Sequence, residues 1–110
     1  MSDIDDINAA IDRVETEINQ VNEQIRRVES SIEDTEAKAL ADDDKQFWSR
    51  KLEYLYEEKM SLRRKEEQLR EEKMSLRRKE EQLREERIAV RKSIDEGRKL
   101  KGELRSTSGN

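Results

Sequence analysis

Three consecutive carboxylates, Asp42, Asp43 and Asp44, are the side chains best suited by type and spacing to attract a hard cation. The calcium-binding loop that such a site usually belongs to needs a glycine, and none follows these aspartates. Aspartate is also a poor residue inside a helix but a good one at its N-cap. We therefore interpret the three aspartates as a capped turn, and we predict no metal and no cofactor.

Catalytic side chains are scarce. The chain has no histidine and no cysteine, which leaves carboxylates, lysines and hydroxyls as candidate acids, bases and nucleophiles. Such groups need a concave site to shift their pKa values, and a helical rod offers none. The sequence therefore predicts that the protein is not an enzyme.

Arginines in the second half of the chain recur once per heptad, a spacing that could follow the phosphates of a nucleic acid. These arginines are Arg63, Arg70, Arg77, Arg84, Arg91, Arg98 and Arg105. Glutamates such as Glu66 and Glu67 are interleaved with them and would repel phosphate. The pattern favours ion pairs along a solvated helix and disfavours nucleic acid as a partner.

The composition points to an extended helical assembly. Charged residues make up 47% and hydrophobic residues 31% of the chain, against about 25% and 45–50% in ordinary soluble domains. No apolar run approaches the roughly 20 residues of a membrane span, and no signal peptide is evident. We expect an intracellular protein, cytoplasmic or nuclear, that binds no membrane.

A seam of β-branched residues with alternate spacings of three and four runs through the first segment, and this spacing is typical of a coiled coil. Its a positions are Ile4, Ile11, Ile18, Ile25 and Ile32, and its d positions are Ile7, Val14, Val21, Val28 and Thr35. Acidic residues after Ser2 suit the start of a helix. The pattern predicts a first helix over about residues 3–40.

The seam breaks at residues 41–45, where the first register would place Asp42 and Gln46 in the core. Asp43 followed by Gln46 resembles a capping box, which marks a helix start. Neither glycine nor proline is present at the break, so an uninterrupted helix with a stutter is the alternative to a turn.

A second helix is predicted over about residues 45–104, followed by a frayed tail at 105–110. The two-heptad stretch EEKMSLRRKEEQLR occurs twice without change between Glu57 and Arg84. Most of the apolar residues along the seam of this helix are leucines, which recur once per heptad. Its predicted core residues are Trp48, Leu52, Leu55, Leu62, Leu69, Leu76, Leu83, Ile88, Val90 and Ile94.

A turn at residues 41–45 sets the register of an antiparallel pair, in which a positions of one helix face d positions of the other. Every isoleucine at an a position of the first segment then meets a leucine, from Ile4 with Leu83 to Ile32 with Leu55. Glu29 lies near Arg63, and Glu15 lies near Arg70 or Arg77. Residues 1–44 carry a net charge of −10 and residues 45–110 a net charge of +6, which also favours pairing the two.

The predicted fold class is therefore all-α, an antiparallel coiled-coil hairpin of two long helices forming one module over residues 1–110. The second helix overshoots the first by about 20 residues, or about 30 Å, which leaves Ile88, Val90 and Ile94 uncovered. We expect the chain to dimerise through this overshoot, as a four-helix bundle or as an extended antiparallel coiled coil of uninterrupted helices.

The predicted function is a structural coiled-coil module for oligomerisation and protein–protein interaction, without catalysis. Its expected partner is a second copy of itself, or another coiled-coil protein. The alternative is an adaptor whose overshooting basic helix, about residues 85–104, binds a different protein or a nucleic acid.

The stretch YLYEEKMSLRRKEEQLREEK is similar to arrays in the coiled-coil regions of crinkler-like and kinase-associated proteins of oomycetes and fungi. The resemblance covers about Lys51–Arg87. It implies an accessory module that brings partner chains together, and it carries over no catalytic or binding residues.

Overall fold

The computed structural model describes residues 3–108, with side chains up to residue 103. The chain forms two helices, α1 over Asp3–Ala41 and α2 over Lys45–Ser108, and residues 3–108 contain no strand. The helices fold back on each other into a rod of 103 × 18 × 15 Å. The predicted all-α antiparallel hairpin is confirmed.

α1 is strongly amphipathic because its isoleucines and valines all fall on one stripe. The first turn carries the acidic residues Asp3, Asp5 and Asp6, and the last turn carries Lys38, so both ends complement the helix dipole. The buried residues of α1 are Ile4, Ile11, Val14, Ile18, Val21, Ile25, Val28, Ile32 and Thr35. One continuous face of α1 therefore packs on α2.

The turn between the helices is formed by three aspartates, and its described residues include none with positive φ. Asp44 is the N-cap of α2, because its Oδ1 accepts the backbone N–H of Phe47 at 3.2 Å. Asp42 Oδ1 accepts the N–H of Asp44 at 3.2 Å, and Lys45 Nζ donates to the carbonyl oxygen of Ala39 at 2.8 Å. Polar groups at both helix ends therefore find partners within the turn.

The chain turns at this point, since the helical backbone stops after Ala41 and restarts at Lys45, and the alternative of an uninterrupted helix is not observed. One expectation about this region needs correction. The capping residue is Asp44 and not Asp43, because the carboxylate that reaches the third N–H of α2 comes from the residue immediately before the helix.

α2 extends further than predicted, to Ser108 instead of about residue 104. Gly97 and Gly102 cost about 1 kcal/mol each relative to alanine inside a helix, yet no proline interrupts the segment and its other residues are mostly good helix formers. Helix therefore occupies residues 105–108 of the predicted tail, and residues 109–110 lie outside the described part.

Candidate functional site: the seam and the overhang

The seam between α1 and α2 contains most of the predicted core. Val14, Ile18, Val21 and Ile25 form one buried cluster with Leu69 of α2, and Leu62 and Leu76 pack against it. The other predicted core residues that are half-buried are Ile7, Trp48, Leu52, Leu55 and Leu83. The structure brings these residues together, whereas Ile88, Val90 and Ile94 lie on the surface.

Two carboxylates of α1 are each held by a pair of cations on α2. Glu15 accepts from Lys73 Nζ at 3.2 Å and from Arg77 Nη2 at 3.3 Å. Glu29 lies 3.7 Å from Lys59 Nζ and 3.3 Å from Arg63 Nη2. We call each group of one carboxylate and two cations a clamp. The clamps lie in the predicted antiparallel register, and they agree with the predicted proximity of Glu15 to Arg77 and of Glu29 to Arg63.

The layers between the clamps are built differently. Glu66 accepts from Arg70 at 3.2 Å and Glu80 accepts from Arg84 at 2.7 Å, each pair lying one helical turn apart on α2. By the register of the clamps, these two glutamates face Asn22 and Asn8 of α1. Carboxylates of α2 therefore meet neutral side chains, and lysines of α2 meet carboxylates.

The a positions of α2 thus have a role that the sequence reasoning missed. Lys59, Glu66, Lys73 and Glu80 occupy these positions. Their side chains are only 19–30% exposed and take part in ion pairs. The signal was present in the alternation of Asn8, Glu15, Asn22 and Glu29 along one edge of α1.

The clamps alter the titration of their carboxylates. Lys73, and to a lesser extent Arg77, lower the pKa of Glu15 below its usual value of 4.5 by hydrogen bonding and by charge.

Next to the turn, the hydroxyl of Tyr56 donates to Glu36 Oε1 at 2.7 Å. That hydrogen bond stabilises the protonated phenol and raises the pKa of Tyr56.

The turn aspartates and the aromatic pair make a second cluster. The pKa of Asp42 is lowered, mainly by the backbone N–H of Asp44 and also by the nearby indole of Trp48. The indole N–H of Trp48 is a buried donor without a hydrogen-bond partner in the structure. Phe47 packs edge-on against Trp48 at 5.0 Å, and Lys51 Nζ lies 5.5 Å from the Trp48 ring. Among the described residues, no three His, Cys, Asp or Glu side chains are grouped as metal ligands.

The part of α2 beyond Leu83 has no partner helix within the described residues. We call residues 85–108 the overhang. Its large apolar side chains Ile88, Val90, Ile94 and Leu100 are 50–68% exposed. At the N-terminus of α1 there is a groove of about 540 Å³. It is lined by Ile4 of α1, by Leu83, and by Val90 and Ile94 of the overhang. The overhang therefore presents an open continuation of the seam.

A second apolar feature lies on the outer surface of α2. Met60, Met74 and Ile88 are spaced two heptads apart, and their exposed fractions are 57%, 55% and 68%. We call these three residues the outer stripe. Since the seam faces α1 and the stripe faces away from it, the two could bind different neighbours.

Comparison with known proteins adds no identity. A scan against models of protein families, a search of curated proteins and a search of solved structures each found no match to this chain. The resemblance to crinkler-like coiled coils therefore stays a prediction. In the part of the chain that the structure describes, no helix is long and apolar enough to cross a membrane.

Proposed function

We propose that this chain is a structural coiled-coil module that joins helices of separate chains. One observation supports the proposal above the others. The heptad seam that α1 covers up to Leu83 continues as the exposed residues Val90 and Ile94 of the overhang. An uncovered coiled-coil seam loses the burial that stabilises it, about 25 cal/mol per Å² of apolar surface, and a helix from another chain would restore that burial.

Self-association is the first form of this proposal. A two-helix hairpin buries little apolar surface, and of the leucines of α2 only Leu69 is buried among the described residues. Two hairpins packed side by side along their outer stripes would form a four-helix bundle and cover the exposed side chains of Met60 and Met74. The predicted cytoplasmic or nuclear location stays a prediction.

Molar mass in solution tests self-association. The chain has a mass of 13.1 kDa, and we expect multi-angle light scattering at tens of micromolar to give twice that value. Met60→Glu with Met74→Glu should return the monomer mass if the outer stripe forms the bundle, because each glutamate would be placed in the contact. Ser61→Glu with Ser75→Glu, which are neighbouring surface positions, is the matched control. A monomer mass for the unsubstituted chain would contradict the proposal.

Small-angle scattering separates the compact dimer from an extended one. The hairpin is 103 Å long, so a side-by-side bundle should have a maximum dimension close to that value. A dimer joined only through the two overhangs would be longer, because two rods of 103 Å that overlap over about 24 residues, or about 36 Å, would reach about 170 Å. The longer value would contradict the four-helix bundle while leaving self-association intact.

A nucleic-acid adaptor has less support than a protein partner. Arg63, Arg70, Arg77 and Arg84 each form an ion pair with a carboxylate, and those carboxylates compete with phosphate for the same guanidinium groups. In the overhang, Asp95 and Glu96 lie between Arg91 and Arg98 and would repel phosphate, whereas the apolar side chains of Val90 and Ile94 favour a protein partner.

A further inference from the structure

The cations of α2 form a unit that repeats every second heptad. Each unit has a basic residue at an a position and an arginine one helical turn later at the e position: Lys59 with Arg63, Lys73 with Arg77, and Arg87 with Arg91. The first two units hold Glu29 and Glu15 in the clamps, at distances of 3.2–3.7 Å. The third unit lies in the overhang.

The third unit lies at the N-terminus of α1, where Arg87 and Arg91 line a groove with Asp3 and Ile4. Moving two heptads back from Glu15 leads to position 1, which holds methionine and precedes the first described residue of α1, Asp3. The e positions of α1 therefore supply no carboxylate to Arg91. Arg91 and, one heptad further, Arg98 are exposed on the same edge as Val90 and Ile94.

We propose that the overhang binds an antiparallel amphipathic helix of another protein, with aliphatic residues at its a and d positions and carboxylates at its e positions. The inference rests on the proposed function and names the chemistry of the partner. A helix of about 20 residues spans the overhang at 1.5 Å per residue. Its aliphatic seam covers Val90 and Ile94, and its carboxylates pair with Arg91 and Arg98, as Glu15 pairs with Arg77.

A second copy of the overhang fits this site poorly. In an antiparallel pair the e positions of the two helices face each other. Two overhangs would therefore set Arg91 and Arg98 of one chain against the same arginines of the other, and like charges across a helix interface select against that pairing. A bundle formed by the outer stripes leaves the overhang open for the acidic helix.

α1 itself supplies a template for the partner. A peptide with the sequence of residues 11–30, placed on the overhang in the antiparallel register, would set Ile25 on Val90 and Val21 on Ile94. Its position 29 would then face Arg91 and its position 22 would face Arg98. The peptide would lie along residues 85–104 of α2, beyond Asp3, the first described residue of α1.

Two versions of this peptide test the proposal against the full-length chain. The acidic probe carries Asn22→Glu, so that positions 15, 22 and 29 are all glutamate. The basic probe carries Glu15→Lys, Asn22→Lys and Glu29→Lys on the same aliphatic seam. We expect fluorescence anisotropy at low salt to show the acidic probe binding about tenfold tighter than the basic one, with the difference shrinking as salt is added.

Variants of the chain locate the binding site. Arg91→Glu with Arg98→Glu should reverse the preference between the probes, whereas Lys92→Glu with Lys99→Glu, the same charge change on the outer face, should leave it unchanged. Val90→Asp with Ile94→Asp should abolish binding of the acidic probe. Binding that survives Val90→Asp with Ile94→Asp would show exchange with α1 and would overturn the proposal.

The outcomes separate this inference from the proposed function. Equal binding of the two probes would overturn the acidic partner and leave an interaction module in place. Absence of binding by either probe, together with a monomer mass in light scattering, would overturn both. Self-association of the chain that Val90→Asp with Ile94→Asp removes would identify a second overhang as the occupant and would overturn the acidic helix alone.

Discussion

A carboxylate held between two cations depends on pH in a defined direction. Lys73 and Arg77 lower the pKa of Glu15 in the folded chain, so the charged form is favoured by folding. The stabilisation from this clamp is present above the pKa of the unfolded chain and is lost as the pH falls through the lower pKa of the folded one. Because Glu15 is exposed to solvent, added salt weakens the same interaction.

An NMR titration should give Glu15 a midpoint below 4.5, its usual value. Glu15→Gln should lower the midpoint of thermal unfolding at pH 7, and the difference from the unsubstituted chain should vanish once the pH is below the folded pKa. Glu17→Gln removes the same charge two residues away, where the described structure has no ion pair with α2, and should have a smaller effect. An equal effect of the two variants would argue against the clamp.

The turn shows which interactions set the ends of the helices. Asp44 accepts the N–H of Phe47, whereas Asp43 makes no side-chain hydrogen bond within the described residues. Loss of an N-cap costs about 0.5–2 kcal/mol. We expect Asp44→Ala to lower the free energy of unfolding in urea by about 1 kcal/mol and Asp43→Ala to change it little. A larger loss of stability for Asp43→Ala than for Asp44→Ala would instead support the capping box inferred from the sequence.

Pairing of the helices depends on an alternation with a period of two heptads. Exchanging the pattern on α1, by Asn8→Glu, Glu15→Asn, Asn22→Glu and Glu29→Asn, keeps the net charge but sets glutamates against Glu66 and Glu80. We expect the free energy of unfolding in urea to fall, because four layers lose an ion pair or gain a repulsion between carboxylates.

A compensating change tests whether pairing causes that loss. The exchange on α2 is Lys59→Glu, Glu66→Lys, Lys73→Glu and Glu80→Lys. Combined with the exchange on α1, it should recover most of the stability, because carboxylates again face lysines. A combined variant no more stable than the less stable of the two parents would show that helix propensity and not pairing determines the effect.

The sequence predicts some parts of this hairpin better than others. The spacing of isoleucine, valine and leucine determines both helices and their register, because apolar burial is regular along a coiled coil. The choice between Asp43 and Asp44 as the cap depends on backbone angles that no spacing reveals. The clamps at Glu15 and Glu29 depend on charged residues of both helices. Each helix considered alone has only a row of solvent-exposed charged residues, and that row does not reveal its partners.

At the scale of the whole molecule, the repeat determines what is left uncovered. Deleting residues 71–84, one copy of the repeat, shortens α2 by about 21 Å. The register then places Val90 opposite Ile11, Ile94 opposite Ile7 and Arg91 beside Glu15. The overhang seam would be covered within one chain, so we expect this variant to be a shorter rod in small-angle scattering and to lose binding of the acidic probe.

A deletion of one heptad is the control. Removing residues 64–70 keeps the leucine spacing, but it brings Glu80 to the position beside Glu15. We expect this variant to be less stable to urea than the deletion of a whole copy of the repeat, although it removes half as much of α2. Equal stability of the two deletions would mean that the leucines alone determine the register.

The identity of the two copies has a consequence for how α1 finds its place. A shift of α1 by two heptads along α2 would put Ile18 on Leu83, Ile25 on Leu76 and Glu29 between Lys73 and Arg77, so each would meet the same kinds of side chain as before. The side chains along the seam therefore disfavour a shift of α1 by one heptad, but they do not distinguish one copy of the repeat from the other. The turn capped by Asp44 makes that choice. A chain cut at the turn would let α1 bind at two places about 21 Å apart.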